Sequence, residues 1–297
     1  MSATTVLCPI DFSDESRNAL RWARVVARRR QATLIVLHAV EPLLAEAARV
    51  SRGQALGDAE TEAALREFVQ ATVPEVATAL DRVTCRVRVG EPAQAILDEA
   101  AKERPLLVVM GTHGLGGFRK LLVGSTTERV LRGARQPVLA VPPSPDRAPS
   151  DDDPSSAIKR ILVGTDFSPA SMEALRWSAG FAREIGVPLL IAHIVVPTTV
   201  APAWQSLAER ADESRLTEAR RRMDELSTEF PGLKVETLVA LDRAEDGLAA
   251  LAEERGAGMI VLGLSSEEGA FATHPGTIAY RVLCIAKALV LLVPRAA

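Results

Sequence analysis

The stretch Val6-Leu7-Cys8-Pro9-Ile10-Asp11-Phe12-Ser13 returns 155 residues later as Ile161-Leu162-Val163-Gly164-Thr165-Asp166-Phe167-Ser168. Each copy is a short apolar run that closes on Asp-Phe-Ser. The match extends outward at the same offset. Ala19-Leu20-Arg21-Trp22 is answered by Ala174-Leu175-Arg176-Trp177, and His38 and Val40 by His193 and Val195. Self-similarity over such a span marks a duplicated structural unit.

Between the copies lies Pro142-Pro143-Ser144-Pro145-Asp146-Arg147-Ala148-Pro149-Ser150-Asp151-Asp152-Asp153-Pro154-Ser155-Ser156. Rich in Pro, Ser and Asp, it has almost nothing to bury, which is a linker composition. The expected organisation is a first domain over 1–143, a linker over 144–157 and a second domain over 158–297. A chain of 297 residues with 47% apolar content suffices for two cores.

Within the first copy, strands are expected over 5–10, 33–40, 84–89, 106–110 and 138–141. Helices are expected over 14–29, about 58–81, 92–103 and 125–134. Thr33-Leu34-Ile35-Val36-Leu37 and Leu106-Leu107-Val108-Val109-Met110 are apolar without alternation, as strands buried on both faces of a parallel sheet are. Ser13 before Asp14-Glu15 supplies an N-cap and first-turn acids, and Pro92 suits the first turn of a helix. The second copy repeats the plan, with strands near 160–165, 188–195, 234–240, 258–263 and 288–293. The fold class is therefore α/β, as two tandem doubly wound parallel five-stranded sheets of Rossmann-like type. Such sheets bind ligands beyond the carboxyl ends of their strands.

After Met110 comes Gly111-Thr112-His113-Gly114-Leu115-Gly116-Gly117-Phe118-Arg119-Lys120-Leu121-Leu122-Val123-Gly124-Ser125-Thr126. Glycines let backbone N–H groups approach an anion, and a helix starting at Ser125 offers further N–H groups and its positive dipole end. Ser125 and Thr126 add hydroxyls, Arg119 and Lys120 positive charge. These are the parts of a phosphate cradle. A P-loop is excluded because no Gly-Lys-Ser/Thr ends the stretch. The dinucleotide fingerprint fits poorly, and the loop follows the fourth strand rather than the first.

The spacing Gly111-x2-Gly114-x9-Gly124-Ser125 resembles the ATP-binding pattern of the universal stress protein family. Pro9-Ile10-Asp11-Phe12-Ser13 and Val89-Gly90-Glu91-Pro92 resemble that family too, and the likeness covers the chain as two copies. The resemblance implies ATP as ligand, with ADP or AMP as alternatives and Mg²⁺ carried by the phosphates and water rather than by protein ligands. It assigns Pro9 to the site and Asp11 to ribose or the adenine edge. The backbone of Val40 would meet adenine, and Met110 would flank the base or ribose. Gly111, Gly114, Gly124, Ser125 and Thr126 would hold phosphates, with His113 beside them. It further implies pairing of the two halves through their last strands as a pseudo-dimer, and a homodimer of chains.

The second copy keeps Asp166, Val195, Gly263, Gly276 and Thr277 as a weaker site. Ser266 replaces the second glycine, and Glu267 and Glu268 follow it. One carboxylate about 4 Å from a phosphate charge costs on the order of 4 kcal/mol at an effective dielectric of 20. Nucleotide is thus expected mainly in the first domain.

No Ser/His/Asp arrangement, acid pair or metal-ligand cluster stands in the sequence, so dedicated catalysis is not expected. The alternatives are a slow adenine-nucleotide hydrolase and an interaction module with vestigial sites. His38 and His193 read as core histidines. The net charge of -3 leaves no basic excess for nucleic acid. Arg28-Arg29-Arg30 reads as a helix C-terminus. Cys8, Cys85 and Cys284 read as inert thiols of a reducing compartment. No leader or spanning run is seen, so a cytoplasmic protein with a further protein partner is expected.

Overall fold

The unalternating Val, Leu and Ile runs become the inner strands of two parallel sheets, one in each half of the chain. A computed structural model describes residues 4–52, 59–74, 82–112, 123–143, 156–264 and 277–295. The chain divides into two units, Met1–Pro154 and Ser155–Ala297.

In the first unit β1 (Thr5–Pro9) is followed by α1 (Asp14–Arg29), β2 (Thr33–Val40), α2 (Pro42–Arg52) and α3 (Ala59–Thr72). Then come β3 (Val83–Val89), α4 (Pro92–Glu103), β4 (Leu107–Gly111), α5 (Ser125–Gly133) and β5 (Val138–Val141). The strands lie parallel in the order β3-β2-β1-β4-β5. Val6, Leu7 and Cys8 of the central β1 are wholly buried. The order reverses between β1 and β4, and sheets of this kind bind ligands beyond the carboxyl ends of the strands at such a point.

The second unit has β6 (Ile161–Gly164), α6 (Pro169–Ile185), β7 (Leu189–Val195), α7 (Gln205–Ser227) and β8 (Val235–Leu241). It ends with α8 (Ala244–Glu254), β9 (Met259–Leu264), α9 (Ile278–Ile285) and β10 (Leu289–Pro294). Its strands are again parallel, in the equivalent order β8-β7-β6-β9-β10.

Two elements depart from expectation. Residues 42–52 form α2, where the sequence reading placed no helix. Pro42 opens it at a position that tolerates proline, but Leu43 is 83% and Leu44 60% exposed, so it buries little and leaves a weak apolar signature. The helix expected over about 58–81 is α3, which stops at Thr72. Pro74 stands two residues on and cannot continue a helical ladder. Residues 75–81 lie outside the described ones.

Other expectations concern side chains. Arg28 and Arg29 occupy the last turn of α1, where cations favour the dipole. Burial pushes the Cys8 thiol far up, and pushes Cys85 up as well. Cys85 and Cys284 are only partly buried.

Candidate functional site

The Asp-Phe-Ser turn is built the same way in both units. Phe12 has φ 64° and Phe167 φ 63°, the left-handed region, which bulky side chains rarely adopt. Side-chain contacts hold each turn. The Phe12 ring lies 4.7 Å from His38 and 5.3 Å from Phe68, edge-on to the latter. The Phe167 ring lies 4.6 Å from His193, with the Arg222 guanidinium 3.9 Å from its centroid.

The histidines brace these turns. His38 Nδ1 lies 2.8 Å from the Ile10 carbonyl, and His193 Nδ1 2.7 Å from that of Thr165. A carbonyl can only accept, so Nδ1 carries the proton in each ring. That is the satisfied structural role read from the sequence.

Asp11 follows β1 by two residues. Its Oδ1 accepts from the Ser13 N–H at 3.1 Å and from the Ser13 hydroxyl at 2.5 Å. Ser13 Oγ in turn caps α1, accepting from Ser16 N–H at 3.1 Å. Asp166 repeats this, accepting from Ser168 N–H at 2.9 Å, while Ser168 Oγ caps α6 at 3.2 Å from Ser171 N. Each aspartate thus orders the entry to a helix and stands at the end of the central strand.

Val40 and Val195 end β2 and β7, and both are buried. The Val40 carbonyl accepts from Gly90 N–H at 3.0 Å and that of Val195 from Asp242 N–H at 3.1 Å. Met110 is 4% exposed within β4. The parallel order β2-β1-β4 brings Pro9, Asp11, Val40, Met110 and Gly111 to one end of the sheet, where the strand order reverses.

Beyond β4, Gly124 is the N-cap of α5 and contributes no side-chain cap. Its N–H donates to the Thr112 carbonyl at 2.8 Å, and the buried Thr127 hydroxyl donates to the Gly111 carbonyl at 2.8 Å. The start of α5, with Ser125 and Thr126, is thereby fixed against the end of β4. Glu91 caps α4 through the N–H groups of Ala93 and Gln94 and meets Arg129 of α5 at 2.7 Å. His113 and Gly114 lie outside the described residues, as do Arg119 and Lys120.

The second unit differs at this end. Thr277 caps α9, its hydroxyl accepting from Tyr280 N–H at 3.3 Å. The residue after it is Ile278, 47% exposed, where the first copy has Thr126. A Cβ on Gly263 would meet the backbone of Ala170 and Ser171 at 2.3–2.6 Å. That glycine is therefore required by the approach of α6 to β9. Gly276, Ser266, Glu267 and Glu268 lie outside the described residues.

Among the described residues no group of three or more His, Cys, Asp or Glu side chains could hold a metal ion, and no helix is long and apolar enough to cross a membrane. Thr127 and the Glu91–Arg129 pair escaped the sequence reading. The signal available for Thr127 was its replacement by Ala279 in the repeat.

These features define a tandem α/β protein with a Rossmann-like parallel sheet in each unit, each sheet presenting strand ends at a switch point. The sequence matches the Universal stress protein family over residues 3–142 and 157–294, and the chain belongs to that family. It is similar to a universal stress protein of Mycolicibacterium smegmatis, 26% identical over 288 residues that cover 93% of this chain and 92% of the relative. A universal stress protein of Thermus aquaticus is 35% identical over 143 residues, 46% of this chain and 97% of that protein. Among solved structures, the fold resembles a universal stress protein from Archaeoglobus fulgidus with a TM-score of 0.67 and 20% identity, covering 99% of this chain and all of that one.

Proposed function

We propose that the first unit binds an adenine nucleotide, ATP, and that occupancy alters the surface offered to a protein partner in a stress response. The observation that carries this reading is the start of α5. It has no side-chain cap and is tied by Gly124 and Thr127 to the end of β4, beside the switch point. Backbone N–H groups at a helix start, together with the dipole, suit phosphate oxygens.

Asp11, Val40 and Met110 would then take the nucleoside, and Gly111, Gly114, Gly124, Ser125 and Thr126 the phosphates, with Pro9 and His113 beside them. Mg²⁺ would arrive with the triphosphate and keep water and phosphate oxygens as its ligands. The second unit, with Thr277 capping its own helix and Glu267 and Glu268 in the intervening stretch, would bind nucleotide weakly or not at all. Cysteines outside any disulfide support the cytoplasm as the setting. Association into a homodimer belongs to the same proposal and is read by light scattering with and without ATP.

The direct test is mass spectrometry of ligand released from purified protein, joined to calorimetric titration. The expected result is an adenine nucleotide, one tight ATP site per chain, and a loss of about tenfold in affinity in Asp11→Ala, the size of one lost strong hydrogen bond. Two equivalent ATP sites, or no nucleotide binding by the unaltered chain, would overturn it.

A further inference from the structure

The two halves of this chain are an internal control on one another, because the turn after their first strands is the same and the start of their last helices is not. In the first unit the carbonyl that ends β4 and the one after it are taken by α5 and its N-cap. The Gly111 carbonyl accepts from Thr127 Oγ1 and the Thr112 carbonyl from Gly124 N–H, each at 2.8 Å. In the second unit Ala279 stands where Thr127 does, so no hydroxyl is present there. The Leu264 carbonyl, at the position of Thr112, accepts from Arg295 N–H at 2.9 Å. The helix start is closed by its own Thr277.

We propose that Thr127 is a positioning residue for phosphate recognition: its buried hydroxyl fixes the first turn of α5 to the end of β4 and so holds the N–H groups of that turn for an anion. This rests on the nucleotide reading of the first unit and deepens it. Thr127 is 4% exposed, and its hydroxyl is engaged with the Gly111 carbonyl, so it acts through the helix rather than on a ligand. It sits at the third helical residue, where a threonine hydroxyl directed at the preceding strand leaves the first-turn N–H groups to other acceptors. Ala279 cannot make this tie, and Thr277 satisfies an N–H group of α9 from within. One substitution and one shifted cap thus separate a helix start arranged for an external acceptor from one arranged for its own.

The proposal predicts that Thr127 governs the part of affinity that comes from phosphate and leaves the nucleoside part alone. The experiment titrates the full chain, unaltered and as Thr127→Val and Thr127→Ser, with ATP and separately with adenosine, and records the thermal unfolding of each protein. Thr127→Val preserves the side-chain shape and removes the donor. It is expected to weaken ATP by about tenfold, the equivalent of one charge-assisted hydrogen bond, while adenosine affinity stays within about twofold of the unaltered chain. Thr127→Ser restores ATP affinity. Equal losses for ATP and adenosine would mean that Thr127 merely supports the fold, and would overturn the proposal. So would ATP binding by Thr127→Val that matches the unaltered chain. If the unaltered chain binds no ATP, the nucleotide reading itself fails and this inference falls with it, an outcome distinct from the other two.

Discussion

Glu91 and Arg129 stand 2.7 Å apart and link the cap of α4 to the body of α5. In the second unit the equivalent arginine, Arg281, pairs with Glu245 inside α8, while Arg243 occupies the cap position without a side-chain cap bond. Both units therefore carry an ion pair between these helices, with the acid two residues further along in the second.

The first-unit pair is part-exposed, at 55% for Arg129 and 42% for Glu91, so the charges themselves contribute little. Arg129→Ala should leave stability nearly unchanged. Glu91→Ala also strips the helix of its cap and should cost about 1 kcal/mol, a fall of roughly 2–4 °C in Tm for a unit of this size. A double-mutant cycle should give a coupling below about 1 kcal/mol. A larger value would mean that the pair holds α5 in place.

Asp166 offers a test in acid. Burial pushes its carboxyl up, but hydrogen bonds from the Ser168 hydroxyl and N–H and from Ser171 outweigh that and hold it below the usual value. A folded value that is depressed favours the ionised form in the folded chain. Its stabilisation is present above the unfolded value of about 3.9 and is lost as pH falls through the folded one. Thermal melts of Asp166→Asn should therefore differ from those of the unaltered chain at pH 7 and at pH 5, and converge below about pH 4. A gap unchanged down to pH 2 would assign the effect to geometry rather than charge.

Gly263 divides packing from ligand binding. A methyl group there meets the Ala170 carbonyl at 2.3 Å, and backbone cannot swing aside as a side chain can. Gly263→Ala should destabilise the second unit by about 1–3 kcal/mol or more, as overpacking does. ATP titration of the first unit should be unaltered. A variant as stable as the unaltered chain would show that α6 and β9 can part.

Much of this was legible in the sequence. The repeat, the parallel strands, the Asp-Phe-Ser turns and the helix start after Gly124 all follow from local pattern: apolar runs without alternation, a serine cap and a glycine that ends a loop. The rest depends on what meets across the fold. Helix α2 hid because Leu43 and Leu44 face outward and create no periodic burial. Thr127 hid because its partner lies sixteen residues back in β4, and Glu91 because Arg129 comes from another helix. The packing role of Gly263 was not legible because a close backbone approach and a phosphate demand the same missing Cβ. No sequence rule places a phenylalanine at positive φ, since only the rings packed on Phe12 and Phe167 make that conformation tolerable.

Those two phenylalanines bear on recognition rates. A residue held in the left-handed region costs on the order of 1–3 kcal/mol, and ordering a backbone residue costs about 1–2 kcal/mol more. Both fall due when the chain folds, because His38 and His193 brace the turns from within the protein. An incoming molecule meets a carboxylate already set at the end of the central strand. For a ligand that docks against these turns, their ordering adds nothing to the cost of binding.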